Sequence, residues 1–327
     1  MVSIDNVVYL IIRIVLNPLV AAAVLFYSFD RSNRALNTDL EHLLPQIYAI
    51  LVITYSILEL IVDATRASQF DISKDVIAIT GGSSGFGYEL SKEFAKRKLT
   101  VAVLDVGAPK VVVEGVRYYK CDVRSSTQVK ATFERVSEEL GAVTVLVNNA
   151  GITRKGSVLD ASLDDIKDTL DVNLLSHFYT VKAVLPSMIA AKKGYVVTVA
   201  SCLGYQGPVN FAAYGASKAG LLAYHESLTF ELAPNRGLKT LLIVPGQMRT
   251  GMFSDIDPPL QFFAPVVDPA ALARKVVRAI EMGKSGRIAS PLYVNFMPVL
   301  RAAPFWLVRI FRGLSGMDRV ARDSHSD

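Results

Sequence analysis

DVIAITGGSSGFGYELSKEFAKR, residues 75–97, is the stretch from which the fold is read. It opens on VIAIT, a run of small and β-branched apolar residues of the kind that forms a strand buried on both faces. TGGSSGFG follows, with Thr80, Gly81, Ser83, Gly85, Phe86 and Gly87, and then YELSKEFAKR with helical spacing. Glycines permit a tight turn and close backbone approach, and the first turn of a helix presents free amides to a pyrophosphate. A glycine pattern alone is weak evidence. Strand before and helix after is the context that a dinucleotide site requires.

Working outward, the chain from Asp75 alternates short Val/Ile/Leu runs with longer mixed segments. Strands are predicted at 76–80, 100–105, 116–120, 143–148, 194–200, 239–244 and 287–289. Helical stretches separate most of them, which feeds a parallel sheet. The expected fold is α/β, a doubly wound Rossmann-like parallel sheet forming a single catalytic domain over residues 71–292. The second strand ends on Asp105 in TVAVLDV. A carboxylate there accepts hydrogen bonds from ribose hydroxyls and repels a 2′-phosphate, which favours NAD over NADP as cofactor.

Composition bounds the partners. Of 327 residues 51% are apolar, and the mean hydropathy of +0.34 is high for a soluble protein. Residues 7–29, VVYLIIRIVLNPLVAAAVLFYSF, are interrupted only by Arg13, Asn17 and Pro18 among apolar and small side chains. At ~1.5 Å rise per residue such a run crosses a hydrocarbon core of about 30 Å. A signal peptide fits less well, since no Lys or Arg precedes the run and no clear small-x-small site follows it. Residues 43–62 form a second apolar segment carrying Glu59, either the return span of a hairpin or a helix lying in the interface. Residues 1–70 are therefore expected to anchor the chain to a membrane, with 64–69 as a short linker. The net charge of +5 arises from 35 basic and 30 acidic residues, too small and too mixed to imply nucleic acid. Cys121 and Cys202 sit in strand-like runs as buried thiols, and His42, His177, His225 and His325 lack the spacing of a zinc site, so no metal is expected.

The chemistry is carried by YGASK, Tyr214 to Lys218, with Ser201 upstream in VTVASCLG. On a helix, positions i and i+4 share a face, so an ammonium sits beside a phenol. A free phenol has a pKa of about 10, and a neighbouring positive charge is expected to lower it, fitting Tyr214 for proton transfer near neutral pH. Ser201 would hold the same substrate oxygen. Taken alone, the pair fits an ordinary amphipathic helix better than an active site. No GxSxG elbow surrounds Ser201, which removes a nucleophilic reading.

With NNAG at 148–151, Asn173 in DVN and Pro245–Gly246, these motifs stand in the order of the short-chain dehydrogenase/reductase family, which the chain resembles over residues 75–289. The resemblance implies catalysis by Ser201, Tyr214, Lys218 and Asn173. Tyr214 would take the hydroxyl proton as hydride leaves, Lys218 would bind the nicotinamide ribose, and Asn173 would position a water between Lys218 and solvent. It also implies cofactor contacts from Thr80, Gly81, Ser83, Gly85, Phe86, Gly87, Asp105, Asn149, Tyr214, Lys218, Pro245 and Gly246, with Asp122 at adenine, Thr250 at the carboxamide and Asn148 stabilising the sheet and adjoining the cofactor. One departure stands out: GAPKVVVEGV, residues 107–116, is too short and too β-branched for the family's usual second helix.

VTVASCLG, YHESLTFEL, TGMF and PLYVNFMPVL followed by RAAPFW are similar to a finer branch, the membrane-anchored retinol and hydroxysteroid dehydrogenases of endoplasmic reticulum and lipid droplets. That resemblance implies an NAD-dependent oxidoreductase for a lipophilic alcohol or carbonyl, with the catalytic domain in the cytosol and a homodimer as the family's common state. The apolar segment after Thr250 and an amphipathic C-terminal region, 293–327, would face substrate and membrane; the alternatives are a surface loop tucking its aromatics onto the core for the first, and a terminal helix packing on the domain or on a partner subunit for the second. Two other readings compete. One is an NADPH-dependent reductase of keto-lipids, of ketosphinganine or acyl-dihydroxyacetone-phosphate type; the other is a catalytically idle dinucleotide-binding membrane protein.

Overall fold

In the computed structural model, seven strands form one parallel sheet: β1 (Val76–Thr80), β2 (Thr100–Asp105), β3 (Val116–Lys120), β4 (Val143–Asn148), β5 (Gly194–Val199), β6 (Leu238–Pro245) and β7 (Gly286–Ser290). Their spatial order is β3-β2-β1-β4-β5-β6-β7. The chain thus leaves β1 in one direction and returns to its other side at β4, and the crevice at that reversal, above the strand C-termini, is where such sheets take ligands. Thr80 and Asn148 end the two strands that flank it.

The strands are apolar throughout because both faces are covered. Successive side chains point to opposite faces, so Ile77, Ile79, Val101, Val103, Val145 and Val147 enter one core while Val76, Ala78, Ala102, Leu104 and Leu146 enter the other. The first face is closed by α1 (Gly85–Lys96), whose Leu90 and Phe94 are wholly buried, and by α6 (Pro269–Glu281), which packs on α1. Arg97 ties the two, reaching Glu93 at 2.7 Å and Glu281 at 2.6 Å. The second face is closed by α2 (Ser126–Leu140), α4 (Ser176–Ala190) and α5 (Ala212–Leu232), with α3 (Leu163–Leu170) leading towards α4 and packing on α5. Ser125, Ser162 and Asp268 cap α2, α3 and α6 by accepting a first-turn amide.

Between β2 and β3 no helix forms; residues 106–115 make turns, and Val106, Val111 and Val112 are exposed. The departure read in the sequence is therefore real, and β3 still pairs in parallel with β2. Beyond β7, α7 (Met297–Ala302), α8 (Phe305–Ser315) and α9 (Met317–Asp323) follow. Gly316 separates the last two in a left-handed conformation, φ 66°, as a helix C-terminus favours.

The structure describes residues 70–235, 237–253, 258 and 260–323, together with 5, 20–21, 23–24, 46–54 and 56–57. The chain divides into two compact units, Met1–Ser68 and Gln69–Asp327. In the first, 46–54 and 56–57 are helical, and Ala21, Ala49 and Val52 form a small buried cluster. Most of the apolar run expected at 7–29, and all of the linker at 64–69, lie outside the described residues. Among the described residues no helix is long and apolar enough to cross a membrane.

Candidate active site

The glycine loop is shaped by close contacts to the loop after β4. Thr80 Oγ1 accepts from the amides of Asn149 at 3.0 Å and Ala150 at 3.1 Å, and Asn149 Nδ2 donates back to the carbonyls of Thr80 and Gly81 at 3.1 and 2.9 Å. Gly87 is required by this arrangement: a Cβ there would lie 2.2 Å from the Gly81 oxygen and 2.4 Å from Asn149 Nδ2. Gly85 has φ +54°, and a Cβ on it would lie 3.7 Å from Thr250 Cγ2, so the segment after Pro245–Gly246 stands opposite the glycine loop. Asn148, by contrast, turns away from the crevice, accepting from Thr180 Oγ1 at 2.8 Å.

A nicotinamide dinucleotide fits these residues. The N-terminus of α1 has no side-chain cap and no acidic residue in its first turn, so its free amides remain open to a pyrophosphate beside exposed Ser84 and Gly85. Asp105 stands at the tip of β2, accepting from Ser83 N at 2.9 Å and Gly107 N at 3.2 Å, which holds its carboxylate against the loop. Ser83 is buried, its hydroxyl donated to Gly107 O at 2.8 Å, and Phe86 is a core residue of α1. Both act through the loop's shape. Asp122 is engaged by Arg124, which grips both its oxygens and also reaches Asp168 at 2.8 Å. That guanidinium holds the Asp122 carboxyl below its usual range.

The four candidate catalytic side chains converge above β4 and β5, all at least nine-tenths buried. Ser201 leaves the sheet one residue beyond Ala200, whose amide still bonds Ile243 O at 2.8 Å, and its hydroxyl caps a short turn by accepting from Leu203 N at 3.2 Å. Tyr214 and Lys218 lie one turn apart on α5, with Lys218 Nζ 5.8 Å from the Tyr214 ring centroid. Asn173 sits where α3 and α4 join through a wider π turn, Asp171–Leu175. Its side chain closes a ring with the Ile152 backbone, accepting from N at 2.8 Å and donating to O at 2.9 Å, and also donates to Ser217 Oγ at 3.0 Å. Gly151 lies between: a Cβ there would be 3.4 Å from Asn173 Oδ1 and 3.6 Å from Lys218 Nζ.

The electrostatics correct one expectation. Burial pushes the Tyr214 phenol well above its usual pKa, and the hydrogen bond with Ser201 only partly opposes this. Lys218 does not lower it in the polypeptide alone, because its ammonium is itself buried, donates to Val199 O at 3.1 Å, and is pulled down to about 8. Desolvation outweighs the charge beside it. Cys202 is pushed up to about 11 by burial, an unreactive thiol.

Comparison with known proteins agrees with this geometry. The family profile described as short chain dehydrogenase matches residues 75–261. The chain belongs to the short-chain dehydrogenase family. It is an NAD(P)-dependent oxidoreductase acting on CH–OH groups. Among its relatives, human 17-beta-hydroxysteroid dehydrogenase 13 is 31% identical over 87% of this chain and 96% of its own. Human retinol dehydrogenase 10 is 32% identical over 66% of this chain and 74% of its own. A short-chain dehydrogenase from Streptomyces avermitilis superposes with a TM-score of 0.61 at 26% identity, covering 77% of this chain and 99% of that one.

On the substrate side, the dehydrogenase site includes residues that motif spacing misses. Phe253 meets the Tyr214 ring edge-on at 5.7 Å and the Phe211 ring at 6.0 Å. Of the apolar segment after Thr250, Phe253 is thus tucked inward, whereas Met252, Leu260, Phe262 and Phe263 are exposed. Ser217, which links Asn173 to the Tyr214 carbonyl at 2.7 Å, could have been found from its place within YGASK. Phe211, Met317, Val320 and Ala321, which share the apolar cluster of Tyr214, had no such signal.

Proposed function

We propose that this protein transfers hydride between NAD(H) and a lipophilic primary or secondary alcohol or its carbonyl, at a membrane or lipid-droplet surface with the catalytic domain in the cytosol. The substrate class is carried by one observation: the reacting phenol lies in an apolar cluster with Phe211 and Ala321, flanked by Leu203, Val209 and Phe253. An oxygen held by Ser201 and Tyr214 would bring the rest of its molecule against these side chains, which favours an apolar body. Relatives named for retinol and a hydroxysteroid are consistent with that class.

A bound nicotinamide dinucleotide supplies the hydride acceptor or donor and, when oxidised, a positive ring charge. The chain's own residues do the rest. Ser201 and Tyr214 orient the reacting oxygen, and Tyr214 takes its proton in oxidation or gives one in reduction. Lys218 and the Asn173–Ile152–Ser217 network hold the proton path and the tyrosine's helix in place. Asp105 supports NAD, since a 2′-phosphate would bring a second negative charge to a carboxylate already fixed against the loop. Membrane association draws support from exposed Phe305, Trp306, Phe311 and Leu314 on α8 beside exposed Arg309.

The test is a turnover panel on the purified full chain in detergent. Retinol, hydroxysteroids, fatty alcohols and short alcohols would be offered with NAD and with NADP. The reading expects higher kcat/KM for the lipophilic alcohols with NAD. Preference for NADPH and a keto-lipid would replace it with the reductase reading.

A further inference from the structure

Ser201 and Tyr214 are joined by the turn Cys202–Gly204 and then by an irregular loop, residues 205–211. That loop is held from the far end of the chain. Arg312 on α8 forks Asp318 on α9, with Nε to Oδ2 at 3.0 Å and Nη2 to Oδ1 at 2.7 Å. Its third donor, Nη1, reaches Gly207 O at 2.8 Å. Asp318 Oδ1 in turn accepts from Val209 N at 3.2 Å. Asn210, left-handed at φ 65°, donates through Nδ2 to Ala321 O at 3.1 Å, and Arg301 Nη1 donates to Gly204 O at 2.7 Å.

α9 has seven residues, too few to hold a helix by itself, so its place depends on these ties. The arginine fork makes the main one directional, since two parallel charge-assisted bonds fix orientation as well as distance. Its side chains are 34% and 27% exposed, enough shielding for the pair to matter more than a fully solvated one. What α9 delivers by sitting there is Met317, Val320 and Ala321, which join the cluster around Tyr214.

We propose that Arg312 and Asp318 form a clasp that fixes α9 as one wall of the substrate chamber. Arg312 and Asp318 are then positioning residues, and Met317 and Val320 determine which length and bulk of apolar substrate is accepted. The inference rests on the reading that the site takes lipophilic alcohols. It goes beyond it in assigning discrimination to the C-terminal helices.

Arg312→Ala, Arg312→Lys, Asp318→Asn and the double variant Arg312→Ala/Asp318→Asn test it, with kcat and KM measured for a polycyclic or long-chain alcohol and for a short secondary alcohol. Losing one apolar wall should raise KM for the bulky alcohol about 10- to 100-fold, while kcat/KM for the short alcohol moves less than about threefold. The double variant should lose less than the sum of the two single losses, because the fork is shared, although each residue also makes a bond of its own to the loop. Arg312→Lys should recover only part of the loss, since an ammonium cannot reproduce the fork. Equal losses on both alcohols, or none on either, would overturn the clasp as a specificity device. Val320→Trp should lower kcat/KM for the bulky alcohol more than for the short one, and the reverse order would count against the wall.

Absence of turnover on any alcohol by the unmodified chain would defeat the functional reading instead. The clasp is then read by hydrogen exchange: Arg312→Ala should speed exchange of the 204–210 amides by about tenfold and leave β1 to β6 unchanged. Unchanged exchange in the loop would overturn it.

Discussion

On the side of Tyr214 proposed to take the dinucleotide, the groups present are backbone atoms, glycines and side chains that are part of, or adjacent to, a compact motif. Thr80, Asn149 and Gly87 lock together through bonds of about 3 Å and one approach that tolerates no side chain. On the substrate side the same tyrosine is surrounded by side chains drawn from residues 203–211, 253 and 317–321, segments that no spacing connects. One side reads a group of fixed shape, with backbone geometry that few substitutions can reproduce. The other presents apolar side chains that can change size one at a time. On the proposed reading, chemistry and cofactor binding are built into the sheet, while selectivity hangs on ties between distant segments.

The sharpest way to break this contrast is Tyr214→Phe. It should cut turnover by about 10²–10⁴-fold, as loss of a general acid–base group does, while dinucleotide affinity measured by calorimetry falls far less, by the one cofactor contact the hydroxyl would make. Comparable loss of both would mean that the two sides are not separable. Gly87→Ala asks the opposite question. Its Cβ would overlap the Gly81 oxygen, so about 1–3 kcal/mol of stability should go, with dinucleotide affinity falling alongside it. Unaltered urea midpoint and affinity would show that the loop is softer than its contacts indicate.

Lys218 marks the boundary between the sides, and its burial has a pH signature. Its folded pKa of about 8 lies below the usual 10.5, so the unfolded chain binds more protons between those values. Stability contributed through this group should therefore rise as pH is raised from about 8 to 10.5, by up to ~3 kcal/mol. Below that window the cost of burying the ammonium is fully present. Lys218→Met should flatten this rise in denaturant titrations, and an identical slope in both proteins would contradict the assignment. Asp105→Asn carries the smallest effect: the NAD over NADP preference in kcat/KM should drop by about tenfold, equal to ~1.4 kcal/mol.

Much of the sheet that carries the glycine loop was legible in the sequence, and the reason is burial. A sheet covered on both faces needs uninterrupted apolar strands, so VIAIT, TVAVLD and VTVLVN reveal themselves as β1, β2 and β4. The missing helix between Asp105 and Asp122 was legible too, from its length and its valines. The π turn at Asp171–Leu175 was not, because DVNLL continues the apolar spacing of a helix and the turn accompanies bonds from Asn173 to Ile152, 21 residues away. The sign of the Tyr214 shift is not legible in the sequence, for a related reason. Spacing places an ammonium beside the phenol, but only the fold shows that both are buried. The Arg312–Gly207 bond joins residues 105 apart, and nothing local announces it.

The central claim is that hydride passes between a lipophilic alcohol carbon and the dinucleotide at Tyr214. A lipophilic alcohol deuterated at its carbinol carbon, incubated with the full chain and NAD, tests this directly by mass analysis of the recovered dinucleotide. The account predicts one deuterium in the reduced dinucleotide for each carbonyl formed, and transfer reduced at least a hundredfold, the lower end of about 10²–10⁴, in Tyr214→Phe. Dinucleotide that binds yet acquires no deuterium from any such alcohol, or acquires it equally in the phenylalanine variant, would contradict it.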